Sequence, residues 1–388
     1  MGNRPVGDGS ELAAYAWLSR ACEPGNRALW AYVAAEGAIE VAAQLYAGDG
    51  PATLQRAVGG RAGEDMSQRD LHAAARAGLR LVVPGDDEWP EDAVWPMAQV
   101  AADGDCDCVP PLSLWVRGSG RLPELLRRSL AVVGARASTP YGDQTAYQIA
   151  AEVAERGVCI VSGGAFGIDA MAHRAALSVG RPTIGVLACG LDRPYPKANE
   201  PLLDRVAADG LLVSEWPPGS APMRQRFLVR NRLIAGLTSA TLVVEAALRS
   251  GARSTAARAR DLAKPVMAVP GPVTSAMSAG TLAMLRGGEV IPVGSAAHVL
   301  EAIGRIGDDL APHEQGPVHE VDALDDGARA VYEAVPLRRA SPVENIARVA
   351  AIAVPEVVGH LSVLELLGLV EADEGRWRKT NKTKQRPA

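Results

Sequence analysis

Seven short apolar runs recur between residues 130 and 293, with helical stretches between them: LAVVG (130–134), VCIVS (158–162), TIGVLA (183–188), LLVSE (211–215), ATLVVE (240–245), PVMAVP (265–270) and EVIPV (289–293). Strands that are apolar throughout and separated by helices predict a parallel sheet covered on both faces. One of the intervening helices is predicted to open at Ser138-Thr139-Pro140, a cap followed by proline, and to end at Gly157. Upstream, from about Glu11 to Gly78, apolar residues recur at three- and four-residue spacing (Leu12, Tyr15, Trp17, Leu18; Leu29, Tyr32, Val33), which predicts several short packed helices. Downstream, the pattern predicts helices over Ala328–Val335, from a capping box at Ser341-Pro342-Val343-Glu344, and over Pro355–Leu367. A hairpin follows, Leu369–Ala372 and Arg376–Lys379, so the order is that of a winged helix.

These elements divide the chain into a helical N-terminal domain (1–80), an acidic connector (81–111), an α/β domain with a doubly wound, Rossmann-type parallel sheet (112–306), a linker (307–326), a winged helix (327–380) and a basic tail (381–388).

Composition changes the picture only when it is resolved along the chain. The 388 residues carry 40 Lys+Arg against 45 Asp+Glu, a net charge of −5, and only two Phe; taken whole, this argues against a nucleic-acid binder coated in positive charge. Yet residues 84–109 hold eight acids and no Lys or Arg, whereas 217–270 hold eight Arg and Lys264 against Glu245 and Asp261. The last stretch, Arg376 to Ala388, has six Lys+Arg and no acid. Five cysteines in odd number imply no disulfide framework, and Cys106-x-Cys108 lacks the companions of a zinc site. The N-terminus lacks the apolar core of a secretion signal. The longest uncharged stretch, Pro265–Leu285, is broken by prolines, so a soluble cytoplasmic protein without membrane contact is expected.

Ligands of such sheets bind at the carboxyl ends of the strands. There the sequence places Gly134-Ala135-Arg136, whose guanidinium can grip phosphate, and the turn Ser162-Gly163-Gly164-Ala165-Phe166-Gly167, which opens a helix and exposes backbone N–H groups to an anion. Asp169 and His173, four apart on that helix, are a pair for local bonding or for chemistry. Lys197 follows Tyr195-Pro196. Arg230-Asn231-Arg232 reads as the start of a helix, where cations oppose the dipole unless an anion is bound, and Ser250-Gly251 open another helix. The ligand these residues favour is polyanionic. There is no G-x-x-x-x-G-K-[ST] loop, no G-x-G-x-x-G after the first strand and no nucleophile elbow, so neither P-loop ATP hydrolysis, a dinucleotide cofactor nor acyl-transfer chemistry is supported.

VVGAR (132–136), SGGAFGIDAMAH (162–173), CGLDRPYP (189–196), SEWPPG (214–219), RFLVRNRLIAGL (226–237), VVEAALRSGARSTA (243–256) and AVPGP (268–272) stand in fixed order. This series resembles the DNA-processing protein A (DprA/Smf) family. The resemblance implies a SAM- or helix-hairpin-helix-like N-terminal domain, an extended Rossmann domain and a winged helix. It also implies a non-enzymatic protein without cofactor that binds single-stranded DNA, hands it to the RecA recombinase during DNA uptake, and dimerises through the Rossmann domain. The implied phosphate pocket is Arg136, Ser162, Gly163, Gly164, Gly167, Lys197 and Asn231, with Arg230 and Arg232 beside it; Phe166 and Tyr195 are candidate base-stacking residues. Phe166, Leu228 and Leu282 depart from the family pattern at, respectively, an often basic, a proline and an asparagine position. The residues leave two other classes open. One is a nucleotide phosphoribohydrolase, although Pro270-Gly271-Pro272-Val273 replaces its P-G-G-x-G-T loop; the other is a winged-helix transcription regulator.

Overall fold

A computed structural model describes residues 6–61, 63–104, 107–304, 309–311 and 321–380. The chain forms two compact units, Met1–Ala311 and Pro312–Ala388. The first unit begins with helices α1 (Glu11–Ala21), α2 (Arg27–Glu36), α3 (Ala38–Ala47), α4 (Ala52–Val58) and α5 (Ser67–Arg76). Next come β1 (Leu79–Val82), α6 (Glu91–Asp103), β2 (Leu114–Arg117) and α7 (Leu122–Leu126). Strands and helices then alternate: β3 (Ser129–Val133), α8 (Pro140–Glu155), β4 (Cys159–Ser162), α9 (Ile168–Ser178), β5 (Thr183–Val186), α10 (Glu200–Asp209), β6 (Leu211–Ser214), α11 (Arg224–Gly236), β7 (Ala240–Val243), α12 (Gly251–Asp261), β8 (Val266–Ala268), α13 (Ala279–Arg286), β9 (Ile291–Pro292) and α14 (Ala296–Ile303).

The nine strands form one sheet in the order β1-β2-β6-β5-β4-β3-β7-β8-β9, parallel from β6 to β9. All seven apolar runs are therefore parallel strands, and their side chains fill cores on both faces of the sheet. Two further strands, β1 and β2, extend the edge antiparallel, Trp115 of β2 facing Ser214 of β6. The chain winds from β3 outward to β6, returns to the centre at β7 and winds the other way. The switch point lies between β3 and β7, where Leu130 pairs with Ala240 and Val133 with Val243.

The N-terminal helices do not close a core of their own. Trp17, Leu18, Leu29 and Leu45 are packed in one cluster with Trp115, Leu187, Leu191 and Leu212 of the sheet domain. Helices of 7 to 11 residues rich in alanine offer too little apolar surface to stand alone, so they bury it on the sheet. The indole of Trp115 donates to Ser19 Oγ (3.4 Å) across this junction. The expected connector is also structured: α6 lies within it, tolerating Pro96 inside the helix, and its first-turn acids Glu91 and Asp92 suit the positive end of the helix dipole.

The second unit contains α15 (Asp326–Ala334), β10 (Ser341–Pro342), α16 (Val343–Ala350), α17 (Val354–Leu366), β11 (Val370–Asp373) and β12 (Arg376–Lys379). The strands pair antiparallel in the order β10-β12-β11. Val331, Ile346, Val357, Leu361, Leu364 and Val370 form its core. Ser341 lies in β10 rather than at a helix cap; Pro342 takes the cap position of α16 and no side chain bonds there, so the expected capping box is not formed. The tail 381–388, Cys106 and most of the linker lie outside the described residues. Among the described residues no single helix is long and apolar enough to cross a membrane.

Candidate nucleic-acid interface

A crevice of about 360 Å³ opens at the switch point, outside the carboxyl ends of β3 and β7. This is where an open α/β sheet presents its ligand site, because the loops after β3 and β7 part to opposite faces. Three helices point their N-termini at this edge, but one is already satisfied. At α8 the buried carboxylate of Glu245 accepts from Thr139 N (2.9 Å) and Thr139 Oγ1 (2.6 Å), and a Cβ on Gly142 would lie 2.2 Å from it. The protein thus supplies its own anion there. Gly167 precedes α9 with no side-chain cap, and Ser250 caps α12 by accepting from Ala252 N (3.2 Å). Those two N-termini face the crevice and its loops.

The glycines are dictated by close approach. A Cβ on Gly134 would meet Ile168 at 2.5 Å, and one on Gly167 (φ +72°) would meet the Ala135 carbonyl oxygen at 2.3 Å. Together they seat the β3 loop against the start of α9, where Ile168 N donates to Ala135 O (3.2 Å). Gly163 makes room for an arginine: a Cβ there would lie 2.4 Å from Nη1 of Arg230.

Arg230 forms the floor. It is 3% exposed, and Nη1 donates to Gly163 O (2.8 Å) and to Val186 O. Burial pushes its guanidinium down to about 10, still charged at neutral pH, and Asp169 offsets part of that penalty. Asp169 is buried beside it and accepts from Ala165 N (3.4 Å); burial raises its pKa against the opposing pull of Arg230. Asn231 Nδ2 donates to Gly251 O (3.2 Å), fixing α11 to the start of α12. Arg136 is exposed at the mouth, its guanidinium 4.9 Å from the Phe227 ring centroid, and Tyr195 stands 6.0 Å from Phe227 at a 58° tilt. Phe166 is 48% and Tyr195 46% exposed, with Leu228 and Leu248 also open to solvent. Neither Phe166 nor Tyr195 lines the crevice itself; they neighbour the lining residues Ala165 and Phe227.

The structure therefore brings Gly134, Arg136, Arg230, Asn231, Ser250 and Gly251 into one crevice, with the Gly163-Gly164 turn under Arg230. Lys197 is exposed on the turn Lys197–Asn199, beyond the crevice lining; Asn199 Nδ2 ties that turn to Gly164 O (3.1 Å) and Ala165 O (3.2 Å). Two predicted contacts are not available. Ser162 is fully buried and its hydroxyl donates back to Val132 O (2.6 Å). Arg232 is 2% exposed and paired with Glu215 (2.7 Å), away from the crevice. The expectation that Arg230 and Arg232 begin a helix is also corrected: α11 starts at Arg224, so they lie within it and on different sides. His173 is fully buried with Nδ1 2.9 Å from Thr183 Oγ1, and is not paired with Asp169. Among the described residues no group of three or more His, Cys, Asp or Glu is arranged to hold a metal ion.

Arg249, beside Ser250 in the same motif, also lines the crevice. Glu23 was invisible to sequence reasoning. Its carboxylate accepts from Trp216 Nε1 (3.1 Å) and from Arg226 Nε (3.0 Å) and Nη2 (2.6 Å), so the loop between α1 and α2 anchors α11 one turn before Arg230, on the same helix face. Of the nine cations between 217 and 270, five are committed elsewhere. Arg226 pairs with Glu23, Arg232 with Glu215, Arg258 with Asp107 and Arg260 with Glu289, while Lys264 Nζ donates to Thr238 O (2.8 Å).

Comparison with known proteins places this geometry. The profile of the family described as DNA recombination-mediator protein A matches residues 80–304. A putative DNA processing protein DprA of Mycobacterium tuberculosis is 45% identical over 365 residues, 94% of this chain and 93% of that protein. Protein Smf of Escherichia coli is 37% identical over 270 residues, 68% of this chain and 71% of that protein. The X-ray structure of DNA processing protein A from Streptococcus pneumoniae superposes with a TM-score of 0.61 at 28% identity, covering 76% of this chain and 99% of that one. The chain belongs to the DNA recombination-mediator protein A (DprA/Smf) family.

Proposed function

We propose that this protein is a non-enzymatic binder of single-stranded DNA in the cytoplasm, taking successive phosphates along the carboxyl edge of the sheet. The observation that carries the reading is the switch-point crevice, with Arg136, Arg230 and Arg249 converging on it and Lys197 just beyond its lining. Backbone N–H groups at the starts of α9 and α12 add fixed positive dipoles. The rim selects single strands, since Phe166 and Tyr195 need free base faces, which a duplex keeps stacked. Following the family's description as a recombination mediator, the bound strand is passed to a RecA-type recombinase during DNA uptake, by a protein that pairs as a dimer through its sheet domain.

Four phosphates held by four cations predict a log–log salt slope for oligo-dT near −3, from about 0.7 per phosphate on single strands. Fluorescence anisotropy across a salt series measures it. A slope near zero contradicts an electrostatic crevice.

A further inference from the structure

The second unit has an exposed helix face of its own. Helices α16 and α17 meet at 102°, an angle typical of a helix-turn-helix, in which the second helix enters the major groove of duplex DNA. The chemistry of α17 does not suit that task. Val354–Leu366 contains no Lys or Arg, and its only charges are the exposed carboxylates of Glu356 and Glu365. Phosphate contacts need cations, and carboxylates at a groove repel the backbone. In the adjoining hairpin Arg376 is exposed, but Arg378 is paired with Glu371 and Lys379 Nζ sits 4.4 Å from the Tyr332 ring centroid, so among the described residues of the hairpin one unpaired cation stands beside a helix that has none.

The α17 surface is organised instead for an apolar contact. Val357, Leu361 and Leu364 face the core. At 100° per residue the exposed side is two adjacent rows, Pro355-Gly359-Val363 and Val358-Ser362-Leu366, each at i, i+4, i+8. Neither row holds a charge. Val358 is 45%, Val363 50% and Leu366 89% exposed, a contiguous apolar strip of the kind that marks an interaction site. Gly359, with nothing within 4 Å of its Cβ position, and Ser362 leave a notch between the larger side chains, shaped to receive a knob from a facing helix. Glu365 borders the strip on one margin and Glu356 on the other.

We propose that α17 is a protein-docking surface, and that its occupant is an amphipathic helix of a partner protein with an apolar stripe flanked on both sides by Lys or Arg. Charge complementarity sets this choice. A second copy of α17 would bring glutamates against glutamates, and duplex DNA would meet carboxylates.

The test uses the full chain, isotopically labelled, and a 14-residue leucine–lysine amphipathic helical peptide as probe. Controls are the same peptide with Glu for Lys, a scrambled leucine–lysine peptide, and a 20-base-pair duplex. Expected are saturable NMR shift changes confined to α17 and its neighbours for the first peptide, affinity at least tenfold above both control peptides, and no duplex-induced shift at α17. Val358→Asp and Leu366→Asp lie on the surface, so the thermal midpoint should hold while peptide affinity falls at least tenfold. Glu356→Lys/Glu365→Lys should reverse the preference toward the Glu peptide. Equal binding of all peptides, shifts elsewhere, duplex shifts at α17, or self-association abolished by Val358→Asp would each overturn the assignment.

Discussion

Substitution of Gly163 by alanine adds one methyl group and tests how the crevice floor is built. The new Cβ would stand 2.4, 2.5 and 2.6 Å from Nη1, Nη2 and Cζ of Arg230. Non-bonded carbon needs about 3.5 Å, so the guanidinium must retreat by roughly 1 Å. It has little room, since Arg230 is 3% exposed and Nη1 already bonds the Gly163 and Val186 carbonyls. Hydrogen bonds to a charged group contribute about 1.5–3 kcal/mol each, and overpacking costs about 1–3 kcal/mol, so a stability loss of about 2–4 kcal/mol is expected. Oligo-dT affinity should fall about tenfold as the floor cation is re-aimed, at about 1.4 kcal/mol per decade. Urea unfolding and anisotropy measure the two effects. A double-mutant cycle isolates the cause: with Arg230→Ala in place, adding Gly163→Ala should cost less than about 0.5 kcal/mol further. Unchanged stability and affinity in Gly163→Ala, or full additivity in the cycle, would refute the packing of Arg230 against Gly163.

Three other outcomes follow from the same geometry. Burial holds His173 down to about 3 from an ordinary 6.5, so between those values the unfolded chain binds a proton that the fold refuses. Stability should then fall as the pH drops below 6.5, by about 2 kcal/mol at pH 5, and urea midpoints should depend on pH less in His173→Gln; an identical dependence would contradict this. Phe166→Ala should weaken oligo-dT binding by about 1–3 kcal/mol with the salt slope unchanged, because stacking carries no counterion release; a changed slope would assign Phe166 another role. Glu23→Ala removes the acceptor that holds Arg226 and Trp216; the pair is partly exposed, so only about 1 kcal/mol of stability should be lost. Oligo-dT affinity should drop severalfold as α11 loosens, and unaltered affinity would uncouple the N-terminal helices from the crevice.

The parallel sheet was legible because each of its strands is an uninterrupted apolar run between helix signals, and Thr139 was legible as a cap because the Ser-Thr-Pro order has one good use. The antiparallel edge was harder to see. Strand β1 reads Leu-Arg-Leu-Val and has Arg80 paired with Glu88, while β2 follows a proline-flanked acidic stretch, so neither resembles a buried strand until β6 is beside it. Helix α6 was hidden by Pro96 and by acids that read as a connector. At the crevice, glycines and Arg136 were legible from their loop positions. Which cations are free was not, because their partners are distant in sequence: Glu23 lies 203 residues from Arg226, and Asp107 151 from Arg258. Ser162 fits a phosphate motif by type, but only the structure shows its hydroxyl turned back to Val132.

The central claim is a single-strand phosphate site at the switch point, and anisotropy with oligo-dT against a matched duplex, for the wild type and for Arg136→Glu and Lys197→Glu, tests it most directly. Wild-type protein should prefer oligo-dT, and Arg136→Glu should weaken it at least tenfold while flattening the salt slope by about 0.7 or more. Lys197→Glu, beyond the lining, should weaken it less. Equal wild-type affinity for both DNAs, or full affinity in Arg136→Glu, would contradict it.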